Sequence, residues 1–331
     1  MNLNKYYYIT FLTALIIIGG CAGSKLGSKK KEKVLMAPRL KTNVINYALV
    51  KKQEKPVTMD ERGTSRGAGL IDAYTGGLVT MGVTAVKNFI ANDKKKYTDT
   101  WTQGLNDIYF YDQPSSIGPL DPAGMQFSGF NIKRTLPGKN KKDTLVALSA
   151  DFVLDTTNYD EIINDGIFRL RLKNIELHYA KAKVPLGKDF LNVDFEITFT
   201  TSFIGENGQL NKDIELGKFY YSLRKAPLDT NYIAPRDSAY KDYKSYYAKL
   251  ENTKLTGKCF IVPRSYGYYR APNNKVSHYY NKGAFSIAVK VTESSKDSFV
   301  NEMLINTSGI GIDYGSGVIM EKVAPSTKPK K

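Results

Sequence analysis

The stretch Leu191-Asn192-Val193-Asp194-Phe195-Glu196-Ile197-Thr198-Phe199-Thr200 decides the fold class, because apolar and polar residues alternate through it without a break. Successive side chains of a β-strand point to opposite faces, so this pattern predicts a strand with one buried side and one side facing water. Antiparallel sheets tolerate such a solvated face far more readily than parallel sheets do. The stretch therefore predicts an antiparallel sheet.

Two further segments repeat the period of two. Apolar residues alternate through Val146–Leu154, and again through Gly166–Tyr179. In the second segment the alternation shifts by one residue at Lys173-Asn174, which predicts a β-bulge there.

Charged residues on the outward faces of these strands are predicted to pair. The basic residues at 169, 171 and 173 stand in one strand, and Asp194 and Glu196 stand in another. Opposite charges on neighbouring strands pin the register, so we expect these groups to face one another. An open, cation-matched sheet face is a poor site for the two acids of a glycosidase, which also need a cleft.

The remaining strands are predicted at short apolar runs separated by turns such as Glu206-Asn207-Gly208. They are Met125–Arg134, Ile214–Lys225, Lys258–Val262, Ala284–Val291 and Gly309–Met320. The predicted fold is mainly β, with an antiparallel β-sandwich or barrel-like domain over residues 97–321. An N-terminal Gly-rich helix and a short Tyr-rich helix complete it.

The N-terminal residues have the pattern expected of a targeting signal. Lys5 precedes the apolar run Tyr6–Ile18, which is too short to span a bilayer as a helix, and Ile18-Gly19-Gly20-Cys21 follows. This segment resembles the lipobox signal of bacterial lipoproteins. The resemblance implies cleavage between Gly20 and Cys21, removal of the signal peptide 1–20, and attachment of diacylglycerol to Cys21.

The residue after the lipidated cysteine bears on the destination. It is Ala22, whereas an Asp at this position would signal retention in the inner membrane. The resemblance therefore implies a lipid-anchored protein of the bacterial cell envelope, held by its N-terminal lipid in the outer membrane.

The net charge of +16 lies mostly at the ends of the chain. Residues 21–55 carry +8 and the tail 322–331 carries +4, so that residues 56–321 keep only +3 once Lys5 is set aside. A nearly neutral body argues against a nucleic-acid partner. The Pro- and Lys-rich composition of the tail predicts disorder.

Residues 21–66 are predicted to form a flexible, basic tether. Each lysine near an anionic membrane contributes about 1 kcal/mol, so lipid and lysines together would form a two-signal anchor. A solvated, self-repelling linker is an equally good interpretation. The membrane-proximal lysines are Lys25, Lys29, Lys30, Lys31 and Lys33.

Apolar residues spaced by three and four between Ile71 and Phe89 predict a helix within residues 67–96. The helix is apolar on nearly every side, and its glycines would let another backbone approach closely. We expect it to pack against the β domain of its own chain or against a neighbouring subunit. The glycines are Gly76, Gly77 and Gly82.

Tyrosines are concentrated late in the chain, with twelve of 23 between Tyr220 and Tyr280. The helical spacing of Tyr240, Tyr243 and Tyr247 predicts a helix packed on the sheet. Tyrosine offers rigid, amphipathic contact area, so two Tyr-rich loops are predicted as an interaction surface for protein or glycan. Its residues are Tyr266, Tyr268, Tyr269, Arg270, Tyr279 and Tyr280.

Few residues suit catalysis. Cys259 is the only other cysteine, and its apolar neighbours predict a buried packing residue, although a Cys–His hydrolase would be open to it if His278 lay nearby. His178 is expected on the polar face of a strand. Two His and two Cys predict no metal site, and no cofactor motif is found.

Two functions from different classes follow. The first is a non-enzymatic, lipid-anchored structural component of an envelope assembly, with protein partners or further copies of itself. The alternative is a lipoprotein that binds a glycan or peptide through its Tyr-rich loops. A hydrolase with an unrecognised site is a third interpretation.

Overall fold

The structure, a computed structural model, describes residues 32–42, 44–45, 97–138, 144–157, 159–185, 188–228, 238–270 and 276–296. Within these residues the chain is mainly β, with two short helices. In chain order the elements are β1 (Lys33–Leu40), β2 (Thr98–Tyr109), β3 (Phe127–Pro137), β4 (Thr144–Leu154), α1 (Tyr159–Asp165), β5 (Ile167–Phe168), β6 (Leu170–Leu177), β7 (Phe190–Ile204), β8 (Leu210–Pro227), α2 (Ser238–Ala248), β9 (Thr253–Lys254), β10 (Thr256–Phe260), β11 (Tyr266–Arg270), β12 (Val276–Tyr280) and β13 (Ala284–Ser294).

The strands form three antiparallel sheets. A five-stranded sheet has the order β1-β3-β4-β6-β9, a six-stranded sheet has the order β2-β13-β7-β8-β10-β5, and β11 pairs with β12. The predicted class, mainly β with antiparallel sheets, is confirmed. In the part of the chain that the structure describes, each large sheet has two edge strands and does not close on itself.

Aromatic side chains form the core between the two large sheets. The ring of Phe152 on β4 lies 5.8 Å from that of Phe195 on β7, and the ring of Phe127 on β3 lies 5.9 Å from that of Phe199 on β7. Burying a ring of this size contributes about 1.5–3 kcal/mol. The facing apolar sides of the sheets therefore hold the body together.

Strand β7 follows the predicted alternation on its apolar side, where Leu191 through Phe199 are buried at every odd position. The other side is less solvated than expected, because Asn192 and Asp194 are buried as well. The Nη1 atom of Arg224 lies 2.6 Å from Oδ1 of Asp194 and covers it. Asn192 donates to a main-chain oxygen of Lys296.

The predicted bulge in β6 is confirmed. Asp151 of β4 lies opposite Asn174, whereas Phe152 lies opposite Leu172, so Lys173 is the extra residue. An unpaired residue of this kind reverses the side-chain alternation, which explains the phase shift in the sequence.

The predicted ion pairs with Asp194 and Glu196 of β7 are wrong, because Arg171 and Lys173 stand on β6 of the five-stranded sheet while β7 belongs to the six-stranded sheet, and Arg169 lies between β5 and β6. The basic residues bind acids closer along their own chain. Arg169 pairs with Glu161 at 2.8 Å and Arg171 pairs with Asp155 at 2.8 Å. Glu196 lies within 3.7 Å of two lysines on neighbouring strands, Lys218 and Lys290.

Residues 33–40 belong to the sheet rather than to a flexible tether. Strand β1 begins at Lys33 and pairs with β3 along its whole length, while Val34 and Met36 pack against the core. Arg39 lies 2.7 Å from Asp151. The count of basic residues in this segment conceals these apolar positions.

The other N-terminal predictions lie outside the described residues, and so do those for the C-terminal end. They concern the signal peptide 1–20, Cys21, Lys25, Lys29, Lys30 and Lys31, residues 46–66 of the tether, the helix over 67–96 with Gly76, Gly77 and Gly82, the strand Gly309–Met320 and the tail 322–331.

Helix α2 packs on the sheets through two tyrosines, as its spacing predicts. Tyr243 and Tyr247 are buried, and their hydroxyl groups donate to the main-chain oxygens of Leu177 and Pro227. The imidazole of His178 stacks on the Tyr243 ring at 5.8 Å, so His178 is buried rather than on a polar surface. Neither helix in the described residues has the length and apolar character needed to cross a bilayer.

Candidate functional site: the tyrosine-rich end

The two predicted Tyr-rich loops are strands. Tyr266–Arg270 is β11 and Val276–Tyr280 is β12, and the two form a hairpin in which Tyr266 lies opposite Tyr280 and Tyr268 lies opposite His278. Aromatic residues favour the pleated, half-buried surface of a sheet. The prediction of loops is therefore wrong. The predicted interaction surface lies on these same two strands.

One face of the hairpin is a cluster of aromatic rings centred on Tyr266. Its ring centroid lies 5.3 Å from that of Tyr268, 5.5 Å from that of His278 and 5.6 Å from that of Tyr280. The Tyr266 and Tyr268 rings meet edge to face, an arrangement that aromatic quadrupoles favour. The Tyr268 side chain is 69% exposed, so a ring held by its neighbours faces water.

The opposite face of the hairpin carries Tyr279. Two carbons of its ring lie 3.4 Å from the position that a Cβ of Gly267 would occupy, so the absence of a side chain at Gly267 lets the ring lie against the strand. Tyr269 and Arg270 complete β11, where they pair with Ser277 and Val276. Of the predicted surface, the structure thus joins Tyr266, Tyr268 and Tyr280 and places Tyr279 on the other side.

A carboxylate joins the aromatic face. The Tyr280 hydroxyl donates to Oε1 of Glu206 at 2.5 Å, and Glu206 is exposed at the turn between β7 and β8. Burial, followed by the bond to Glu206, raises the pKa of Tyr280 to about 12. In the sequence Glu206 is recognisable only as part of the predicted turn Glu206-Asn207-Gly208, and the contact of this turn with the hairpin could not be predicted.

Exposed aliphatic side chains surround this region. Ile204 and Leu210 lie opposite each other at the tip of β7 and β8, and the main-chain nitrogen of Ile204 donates to the Ser265 hydroxyl at the start of the hairpin. Ile117, two residues from the Ser115 that pairs with Tyr280, is 81% exposed. We term this region the tyrosine-rich end: residues 115–118, 204–210, 265–270 and 276–280.

A buried arginine holds the loops beneath the tyrosine-rich end. The guanidinium of Arg264 lies 3.6 Å from the centroid of the Tyr111 ring, a cation–π contact, and burial lowers the pKa of Arg264. Four main-chain oxygens accept its hydrogen bonds, those of Gln113, Asp121, Ala123 and Asn281. Sequence reasoning missed Arg264, because arginine is seldom fully buried.

The opposite end of the body is held by a second buried arginine. The Nη2 atom of Arg134 lies 3.1 Å from Glu293, and its Nη1 atom lies 3.4 Å from Glu32. Glu32 immediately precedes β1, and Glu293 stands near the end of β13. The Arg134 side chain therefore links Glu32, just before the first described strand, to Glu293 on β13, the last described strand.

These two arginines mark opposite ends of one long strand. Strand β13 runs from Ala284, three residues after the Asn281 bound by Arg264, to Ser294, next to the Glu293 bound by Arg134. Ten residue steps of a strand span about 33 Å. The tyrosine-rich end and the start of β1 thus lie far apart on the body.

Cys259, the candidate thiol, is a packing residue, as predicted. It is fully buried on β10, and burial strongly raises the pKa of its thiol, which disfavours the nucleophilic thiolate. Across the described ranges, no three side chains of the His, Cys, Asp and Glu types gather as a metal site would require.

Comparison with known proteins gives no relative from which to argue. No protein-family model, curated protein or solved structure matches the chain. The class of the protein must therefore be inferred from its own residues.

Proposed function

We propose that the chain is a lipid-anchored lipoprotein of the bacterial outer membrane, a non-enzymatic component that docks into an envelope protein assembly. Its body would be a β-sandwich, since two antiparallel sheets share the core that joins Phe152 to Phe195. The docking surface would be the tyrosine-rich end. The observation that carries the proposal is the length of β13, about 33 Å by the rise of a strand, which separates the loops bound by Arg264 at the tyrosine-rich end from the Arg134 pair beside the start of β1.

The placement matters because the lipid would attach shortly before β1. Twelve residue steps lead from Cys21 to Lys33, a link of at most about 43 Å when fully extended. The end held by Arg134 would then face the membrane, with the membrane-proximal lysines between them. The tyrosine-rich end would face away from the lipid, where a partner can reach it.

The chemistry of the exposed end supports docking. Isoleucine and leucine side chains are exposed there beside a tyrosine, and Leu210 is 61% exposed. Exposed apolar groups that lie together with polar ones mark protein-interaction sites, and tyrosine is enriched in them. Asp194 and Glu196, the two acids compared with a glycosidase pair, form ion pairs on the sheet. Asp194 pairs with Arg224, and Glu196 pairs with Lys218.

A second candidate function is the binding of a glycan or peptide ligand at the same end. The observation that favours it is the exposed Tyr268 ring, which is held edge to face by Tyr266 and could stack on a sugar. Retention of the mature protein on immobilised peptidoglycan, lost in Tyr268→Ala and kept in Tyr109→Ala, would support this candidate. Equal retention of both variants would contradict it.

Native purification from solubilised membranes tests the proposed function. The wild-type protein should co-migrate with a defined partner or with further copies of itself, and Tyr268→Ala should lose the partner while keeping its fold. Recovery of wild-type protein only as a monomer would contradict docking. Separately, Cys21→Ser should accumulate as precursor or soluble protein, and normal membrane attachment of this variant would contradict lipidation.

A further inference from the structure

We infer that the tyrosine-rich end recognises a lysine or arginine side chain in a protein segment of the partner, between the Glu206 carboxylate and the rings of Tyr266 and Tyr268. This inference rests on the proposed docking function and adds the chemistry of the partner to it.

The first observation is a fixed carboxylate that no cation occupies. Glu206 makes no ion pair with any residue that the structure describes, although it is ionisable and exposed. Its Oε1 atom is held by the Tyr280 hydroxyl, which leaves Oε2 available to a donor. Lys212, the basic residue just beyond this turn, is directed at Asp213 instead, with 3.9 Å between Nζ and Oδ2.

The second observation is the aromatic surface on the same side of the hairpin. Tyr266 and Tyr268 are two residues apart on β11 and share a face, and Tyr280 stands opposite Tyr266. Aromatic faces carry negative charge density that attracts ammonium and guanidinium groups. Glu206, hydrogen-bonded to Tyr280, adds an acidic group to this aromatic face, and Arg270, the basic residue of β11, lies two positions beyond Tyr268 at the end of that strand.

Exposed aliphatic side chains favour a protein segment over a small cation as the ligand. Ile117, Ile204 and Leu210 are exposed around the aromatic face, and they offer apolar contact to residues flanking a bound lysine or arginine. The net charge of +16 lies mostly at the two ends of the chain and residues 56–321 carry only +3, so the body exerts no long-range attraction on a basic ligand. Binding of a basic segment would therefore have to come from local contacts at this end.

The probes are three fluorescein-labelled octapeptides of alternating sequence, (Lys-Ala)4, (Gln-Ala)4 and (Glu-Ala)4, added to mature lipidated protein in neutral detergent micelles. Fluorescence anisotropy at physiological ionic strength gives their affinities. We expect (Lys-Ala)4 to bind about tenfold more tightly than (Gln-Ala)4, and (Glu-Ala)4 to bind more weakly than either. Equal affinity of (Lys-Ala)4 and (Gln-Ala)4 would overturn the inference.

Matched variants locate the effect. Glu206→Gln should remove most of the tenfold preference for lysine, and Tyr280→Phe, which frees the carboxylate from its hydroxyl donor, should remove part of it. The control Glu251→Gln changes the same charge on an exposed turn after α2 and should leave the affinities unchanged. Equal losses in Glu206→Gln and Glu251→Gln would show a general charge effect and would overturn the site.

Two other occupants are tested alongside. Vesicles of phosphatidylcholine present a quaternary ammonium group, and binding to them that depends on Glu206 while (Lys-Ala)4 fails would reassign the site to a lipid headgroup. Self-association lost in Glu206→Gln under the same failure would reassign it to a second copy. If lysine preference is absent but native co-purification still depends on Tyr268, the cation inference fails while the proposed docking function stands.

Discussion

Arg134 and Glu293 form an ion pair inside the protein, with 3.1 Å between Nη2 and Oε1 and no exposure of either side chain. The second carboxylate oxygen of Glu293 accepts hydrogen bonds from the main-chain nitrogens of Lys181 and Ala182, and Trp101 donates to the first. Arg134 also donates to the main-chain oxygen of Tyr179, while its Nε atom is buried without a hydrogen-bond partner in the described residues, so the pair is satisfied at most, but not all, of its polar atoms. This pair therefore fixes the end of the body where β1 begins.

Removal of one member of this pair should be strongly destabilising. Arg134→Met leaves Glu293 buried without its cation, and we expect the free energy of unfolding to fall by about 3–5 kcal/mol. Urea denaturation followed by far-UV circular dichroism measures the change. The double variant Arg134→Met/Glu293→Gln should lose less than the two single variants together, because it no longer buries an unpaired charge. Strict additivity would contradict the coupling.

Arg264 should be equally important at the other end. Arg264→Met removes the donor for four main-chain oxygens and the cation over Tyr111, and each buried acceptor left unpaired costs about 1–3 kcal/mol. We expect a loss of at least about 3 kcal/mol in urea unfolding. The control is Arg169→Met, whose partly exposed pair with Glu161 should contribute less than about 1 kcal/mol. Comparable losses in both variants would refute the special role of Arg264.

Stability should decline in alkali through a partly buried tyrosine, Tyr246. Burial raises the pKa of Tyr246 to about 12, while its hydroxyl donates to the main-chain oxygen of Arg224. An unfolded tyrosine titrates near pH 10, so between pH 10 and pH 12 the unfolded state releases a proton that the folded state keeps. The stabilisation is complete below pH 10 and is lost as the pH rises to 12, by at most about 1.4 kcal/mol per pH unit.

The test compares urea unfolding at several pH values between 9 and 12. Tyr246→Phe should show a shallower decline than wild type over this range, whereas the control Tyr109→Phe, at an exposed position, should follow wild type. Identical slopes for Tyr246→Phe and wild type would rule out this source of the pH dependence.

The thiol of Cys259 should be unreactive in the folded protein. Its burial raises its pKa, and a thiol reagent can reach neither the group nor its thiolate form. A maleimide should label no cysteine in the native lipidated protein and one after denaturation in guanidinium. Tyr268→Cys should label at once, because that position is exposed. Rapid labelling of native wild type would contradict the burial of Cys259 and reopen thiol chemistry.

The strands could be predicted wherever apolar and polar residues alternate along the chain. Strand β7 and the bulge at Lys173 follow directly from the alternation, because the side-chain period of a strand is two. That period does not determine which strands become neighbours in a sheet. The predicted pairing with acids of β7 is therefore wrong for Arg171, because β6 and β7 lie in different sheets, and for Arg169, which pairs with Glu161 instead.

The candidate site could be predicted only in part. The density of tyrosines marks the hairpin, yet the sequence predicts loops there, because β11 is short and has no apolar face that would reveal its period. Glu206 joins the site across more than seventy positions of sequence, through a turn whose approach depends on tertiary structure. Arg134 and Arg264 were missed because charged residues are expected at the surface.

Site-specific photo-crosslinking in native membranes tests the central claim most directly. A benzoylphenylalanine placed at position 268, at position 117, or at the control position 251 would be irradiated in cells that make the lipidated protein at its normal level. We predict that positions 268 and 117 crosslink to the same protein and that position 251 does not. Crosslinking at position 251 alone, or at none of the three, would contradict docking through the tyrosine-rich end.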